Sequence, residues 1–338
     1  MARINVLFET EVKDDLHGFS TFQALNEDIN YTNRLSSNIL EGLHGLDITI
    51  HEDLPPIPMF ISIEDDNKLI NEDLVSNFFK DGNETDDLMS KSFIVSCDLE
   101  ESMLGEVAKR NPNIKVWPNS KVELFQVDCH PFQRAVSLNT IQNRLGVSSI
   151  WQLGFQGQDT IIGIVDDGIN GSQYPVIGGY SRPQSARRPG RAPIKSHGSM
   201  CAADALIAAP QTKFYDYPFL RIQNSGGVIT MMQQILNQRR KDRTPHIVSN
   251  SYGFTSVPDK QWNPNHEIHN INHPLNRKIR EVVQSGAPVF FAAGNCGVNC
   301  PSGKCHSTSI GPGISIHGPN SLEEVITIAA VNHRNQRI

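Results

Sequence analysis

Apolar positions along this chain change character near residue 91. Before it, acidic and amide residues dominate, and DGNETDD (81–87) reads as an exposed loop. After it, short apolar runs alternate with segments of helical spacing. KSFIVSCDL (91–99) reads as a strand, and EESMLGEVAKRN (100–111) as a short helix with Met103, Leu104 and Val107 on one face. IKVWPNSKVELF (114–125) reads as one or two strands. LNTIQNRLGVSSIWQLGFQGQ (138–158) has the spacing of a helical lead-in through Ile141, Leu145 and Ile150–Trp151. DTIIGIVDDGIN (159–170) is a short buried strand ending in Asp-Asp-Gly. Helices follow at HGSMCAADALIAA (197–209), at GGVITMMQQILNQRR (226–240), where Val228, Met231, Met232, Ile235 and Leu236 cluster, and at NRKIREVVQSG (276–286), which Gly286 stops. Between and after them lie buried strands at HIVSNSYG (246–253), APVFFAAGN (287–295) and EEVITIAAVN (323–332). Continuous apolar strands alternating with helices predict an α/β fold: a mostly parallel sheet covered by helices on both faces, preceded by a small α+β region.

Length and charge refine this picture. The 338 residues suffice for two domains, read here as an N-terminal α+β region at 1–125, a linker and lead-in helix at 126–145, and a larger domain at 146–338. Residues 1–130 carry 25 acidic and 10 basic side chains; the remainder carries 11 and 20. Such opposite halves suit two modules that attract each other, or two unrelated solvated surfaces. No run of eighteen apolar residues occurs, so no membrane span is expected. The start MARINVLFETEVKDD lacks the apolar stretch of a secretory signal, which predicts a cytoplasmic chain unless a leader lies outside this sequence. In that setting the six cysteines are not read as a disulfide framework.

Four short segments carry candidate chemistry, in this order: IVDDG (164–168), SHGSMCA (196–202), SNSYG (249–253) and FFAAGN (290–295). Singly, each has a plain structural reading: an aspartate pair turning the chain after a strand, a histidine at a helix start, a strand entering a glycine turn, an Asn-Cys-Gly turn. As an ordered set they resemble the signature segments of subtilisin-like serine proteases, the subtilases (peptidase family S8), over residues 138–338. The resemblance implies a serine endopeptidase acting on polypeptides. Asp166 would orient the base, His197 would serve as base and then acid, and the Asn295 amide would stabilise the oxyanion. Ser251, Tyr252 and Gly253 would flank the substrate as it pairs along an exposed backbone edge. Asp167 stands where the family often has Ser or Thr and receives no role; Met200 is less usual for the family.

The resemblance also implies a nucleophilic serine in a Gly-Thr-Ser-Met-Ala-type turn. No such turn occurs in these 338 residues, so it is expected beyond Ile338, and this chain alone is expected to be inactive. The alternative is a catalytically inactive subtilase-like protein that binds peptides or a partner. A pro-domain-like contact within the chain is implied by position, with residues 1–125 as inhibitor. No cofactor is required; calcium is allowed by the resemblance, though no ligand cluster for it stands out. Cys296, Cys300, Cys305 and His306 offer four soft ligands within eleven residues, a zinc site or else free or paired thiols. SRPQSARRPGRAPIK (181–195) reads as a solvated basic loop, a nick site or a dock for the acidic region. No aromatic interleaving accompanies it, so nucleic-acid binding is not expected.

Overall fold

A computed structural model describes residues 2–11, 40, 42–51, 54–60, 92–125, 136–182, 185–219, 224–254, 257–295 and 316–331. The predicted loop 81–87 and the cluster Cys296, Cys300, Cys305 and His306 lie outside them. In chain order the elements begin with β1 (Arg3–Glu11), β2 (Ile48–Ile50), β3 (Ile57–Met59), β4 (Ser92–Glu100), α1 (Leu104–Arg110), β5 (Lys115–Pro118) and β6 (Glu123–Leu124). There follow α2 (Leu138–Leu145), α3 (Val147–Gln152), β7 (Ile161–Asp166), β8 (Val176–Gly179), α4 (His197–Ala208), β9 (Lys213–Pro218) and α5 (Ser225–Asp242). The series closes with β10 (Ile247–Asn250), β11 (Tyr252–Gly253), α6 (Pro274–Gln284), β12 (Val289–Ala292) and β13 (Ile326–Ile328). They form two compact units, each drawn from three stretches of chain: 1–121, 224–236 and 259–286 in one, and 122–223, 237–258 and 287–338 in the other.

The first unit is built on an antiparallel sheet of order β2-β4-β1-β5, with β3 also on β4. Alternation along β1 and β4 sends Val6, Phe8, Phe93, Val95, Cys97 and Leu99 to one face, where Val107 of α1 closes the core. The opposite face carries polar groups that would be costly to bury alone, and α6 supplies partners to some of them. Glu9 accepts hydrogen bonds from Ser92 Oγ (2.5 Å), Trp117 Nε1 (2.7 Å) and Arg277 NH2 (2.5 Å). Lys278 Nζ donates to Pro58 O (2.6 Å), Gln233 Oε1 (2.8 Å) and Glu281 Oε2 (2.5 Å). Arg277 and Lys278 are 1% and 0% exposed, so the charged side of this helix is interior. Burial pulls the Lys278 ammonium below its ordinary value, and Glu281 opposes the shift.

The second unit holds a six-stranded sheet of order β13-β12-β10-β7-β9-β8, parallel at every pairing and flanked by helices. This is the parallel α/β architecture expected from the apolar runs. The lead-in is two helices, α2 and α3, because Gly146 takes φ +69° between them. The expected strand 246–253 is likewise two: β10 stays in the large sheet, while β11 pairs antiparallel with β6 (Tyr252 with Leu124, Gly253 with Glu123). Among the described residues no helix is long and apolar enough to cross a membrane.

Removing one partner of a fully buried ion pair strands the other charge. Glu9→Ala should therefore lower unfolding free energy by about 3–5 kcal/mol in urea titration, against under about 0.5 kcal/mol for an exposed control such as Glu101→Ala.

Candidate active site

The carboxyl ends of three adjacent parallel strands, β7, β10 and β12, deliver Asp166, Ser251 and Asn295 to the same edge of the sheet. Open α/β sheets place functional groups at this edge, because the loops there leave the sheet in diverging directions. Asp166 ends β7 with 1% of its surface exposed. Both its carboxylate oxygens lie 2.9 Å from Nδ1 of His197, the first residue of α4. A carboxylate only accepts, so Nδ1 carries a proton, and in the neutral ring it is Nε2 that keeps the lone pair. Hydrogen bonding to Asp166 first, and to Cys201 second, pushes His197 from 6.5 up to about 10 against the opposing effect of burial.

Asp167 holds this geometry in place. Its Oδ1 accepts from Gly198 N (2.8 Å) and its Oδ2 from His197 N (3.2 Å). Two N–H groups of the first helical turn are thus satisfied by a carboxylate at the positive end of the helix. Ser196 caps the same turn, accepting from Ser199 N and donating to Gly168 O (2.8 Å), while Ser199 Oγ accepts from Asn170 N (2.9 Å). A Cβ on Gly198 would stand 2.6 Å from Gly168 O, so only glycine allows the helix this close to the loop. The basic stretch after β8, expected as a solvated loop, is anchored here. Arg187 donates to the Asp167 carbonyl and lies 3.8 Å from the Asp167 carboxylate.

Asn295 follows Gly294 (φ +96°) beyond β12. Its Nδ2 is buried without a hydrogen-bond partner among the described residues, a donor left open where such groups are normally satisfied. Tyr252 is 1% exposed. Its ring stacks on Phe219 at 5.0 Å and meets Phe291 edge-on at 5.6 Å, and its hydroxyl donates to Asn250 Oδ1 (2.9 Å). Ser251 and Gly253 contribute backbone. Phe125 N donates to Ser251 O (2.8 Å), continuing the β6–β11 ladder, and the Phe125 ring lies over Gly253 and Gly294.

Three participants escaped sequence reasoning. Asp167 and Phe125 become visible only once the helix start and the strand pair exist. Cys201 had a signal, the four-residue spacing from His197 that puts both on one helix face. Its Sγ lies 3.6 Å from Asp166 Oδ2, 3.8 Å from His197 Nδ1 and 3.8 Å from Ser251 Oγ. Asp166, His197 and Cys201 are the one group of three ligand-bearing side chains found among the described residues. A thiol and an imidazole do not suit calcium, which takes about six to eight oxygen ligands.

Residues 157–338 match a family model described as the subtilase family, Peptidase_S8. No curated protein sequence matches the chain. Among solved structures the chain is similar to MycP1 from Mycobacterium smegmatis, at 16% identity and TM-score 0.40, covering 64% of this chain and 64% of that one. It is also similar to the epidermin leader peptide processing serine protease EpiP from Staphylococcus aureus, at 12% identity and TM-score 0.49, covering 100% and 71%. The chain thus spans less than two thirds of the length of MycP1.

A histidine whose pKa is raised on folding stabilises the fold fully below its unfolded value and loses that contribution as pH climbs through the folded one. The melting temperature of the wild-type chain should therefore exceed that of His197→Ala most just below pH 6.5. The difference should shrink steadily toward about pH 10. A difference independent of pH over this range would contradict the Asp166–His197 pairing.

Proposed function

Because this chain belongs to the subtilase family, whose model it matches over residues 157–338, we propose that it is a serine-type endopeptidase that cleaves extended polypeptides. One observation carries the reading: the buried Asp166 carboxylate holds Nδ1 of His197 from both oxygens at 2.9 Å. That contact fixes the tautomer in which Nε2 can take a proton from an attacking hydroxyl and return it to the leaving amine. Asp166 remains ionised and stabilises the imidazolium formed in between. The Asn295 amide, without a partner among the described residues, donates to the oxyanion of the tetrahedral intermediate. The scheme needs no cofactor.

Substrate binding follows the strand pairing already present. In our reading a polypeptide lies antiparallel along 251–253 as residues 123–125 do, its backbone hydrogen-bonded to the Ser251 carbonyl. The side chain at the position of Phe125 sits over two glycines, where the lack of Cβ atoms leaves room for a flat ring. Residues 122–125 are then a tethered occupant of the groove, the intramolecular contact expected of a pro-domain-like region. A Cβ at Gly253 would stand 2.5 Å from Phe125 Cζ. Gly253→Val should accordingly weaken binding of a Val-Glu-Leu-Phe peptide at least tenfold, while a peptide ending in alanine loses little. Fluorescence anisotropy on a Phe125→Asp background, where the tethered segment is displaced, reads both.

The attacking hydroxyl belongs to a Gly-Thr-Ser-Met-Ala-type turn that these 338 residues do not contain. The decisive assay therefore uses the reading frame continued through such a turn, with a chromogenic peptide bearing phenylalanine before the reporter. His197→Ala should lower kcat/KM by about 10⁴-fold or more. Asn295→Ala should lower kcat by about 10²–10³-fold, a magnitude that subtilisin itself defines for the loss of one oxyanion donor. If that protein binds the peptide but turns it over no faster than its His197→Ala variant, the enzyme reading fails and a peptide-binding protein takes its place.

A further inference from the structure

Cys201 has no place in the proteolytic scheme, yet its sulfur faces the two most important polar side chains of the site. A cysteine on an apolar helix face commonly just fills space, and Cys201 does pack beside the core formed by Ile164, Ile169, Ala202 and Phe214. Its distances to Asp166 and His197 go further than that. The three donor atoms stand 2.9 Å (Nδ1 to Oδ2), 3.6 Å (Sγ to Oδ2) and 3.8 Å (Sγ to Nδ1) apart. Tetrahedral zinc, with bonds of about 2.0–2.2 Å to nitrogen or oxygen and about 2.3 Å to sulfur, sets such donors about 3.3–3.6 Å apart. Adjustments of about half an ångström would seat the ion.

We propose that Asp166, His197 and Cys201 form a binding site for a soft divalent cation, with zinc the natural occupant, and that its occupation switches the histidine out of its role as base. The thiolate selects zinc or cadmium over calcium and magnesium. The three donors come from a strand end and one turn of α4, which the Asp167 and Ser196 hydrogen bonds tie together, so the site needs little reorganisation. Binding sends the thiol proton to solvent. The metal takes the Nδ1 lone pair; a charged ring gives up one proton to solvent, the remaining proton ends on Nε2, and the ring has no lone pair left to accept the proton of an attacking hydroxyl. Three protein ligands leave a fourth position for water, the arrangement of open rather than closed zinc sites. The switching consequence rests on the proteolytic reading; the binding itself does not.

Cadmium titration of the 338-residue chain, followed by thiolate-to-metal charge-transfer absorption and by calorimetry, tests this without turnover. Cys296, Cys300 and Cys305 are replaced by serine to silence the other thiol cluster. That background should bind one equivalent, and adding Cys201→Ser should remove the absorption band and weaken binding at least tenfold. His197→Ala, with Cys201 retained, should weaken binding at least tenfold while keeping the band at saturating metal, which guards against a Cys201 variant that fails to fold. Absence of binding in the triple-serine background overturns the proposal, as does binding indifferent to Cys201→Ser. Either result leaves the Asp166–His197 base intact as a reading, whereas a chain that binds cadmium but shows no peptidase activity when completed would separate the two the other way.

Discussion

Two backbone N–H groups at the start of α4 point at one carboxylate, that of Asp167, and the rest of the site depends on this contact. A helix start leaves four N–H groups unsatisfied, and here two are met by the loop that also carries Asp166 and a third by the Ser196 hydroxyl. Chain direction, strand end and helix start are thereby locked into one body, and His197 is held against Asp166 with little freedom in either backbone. Arg187 backs the carboxylate from the far side, so its charge is balanced in a part of the protein where solvent contributes little. The price of so close an approach is glycine at 198, whose side chain could be nothing larger.

Much of this was legible in the amino-acid order, for reasons that can be named. Strands buried on both faces leave continuous apolar runs, and IIGIV and VFFAA are such runs; their parallel pairing is what those runs predict. The segments bearing Asp166, His197 and Asn295 were legible because each joins an apolar strand or a small-residue helix to a polar end. What escaped is whatever depends on a partner distant in sequence. NRKIREVVQ reads only as a helix, and nothing in its spacing shows that Arg277 and Lys278 are interior, where Glu9, Pro58 and Gln233 meet them. The break in HIVSNSYG at Ser251 arises from pairing with Glu123 and Leu124, which no local pattern announces.

Burial of charge in the first unit and openness of donors in the second are opposite uses of the same physics. Glu9, Arg277 and Lys278 are hydrogen-bonded several times over, so their burial specifies one arrangement and tolerates few others. The Asn295 amide is buried with no hydrogen-bond partner among the described residues, a local cost of the kind that preorganised donors carry. Tyr252, fully packed between Phe219 and Phe291, supplies the rigid floor that keeps the neighbouring backbone edge straight enough to pair with an extended segment.

The interleaving of the first unit has a consequence for synthesis. The strands of its sheet all lie within 1–121, but the side chains that meet Glu9 and the carbonyl of Pro58, Arg277 and Lys278, lie in 259–286. At about 5–20 residues per second the ribosome needs roughly 8–30 s to make the residues between 121 and Arg277. Until then Glu9 lacks the Arg277 guanidinium that meets it in the folded protein, so this buried ion pair closes late in the order of synthesis, after the strand that carries its carboxylate.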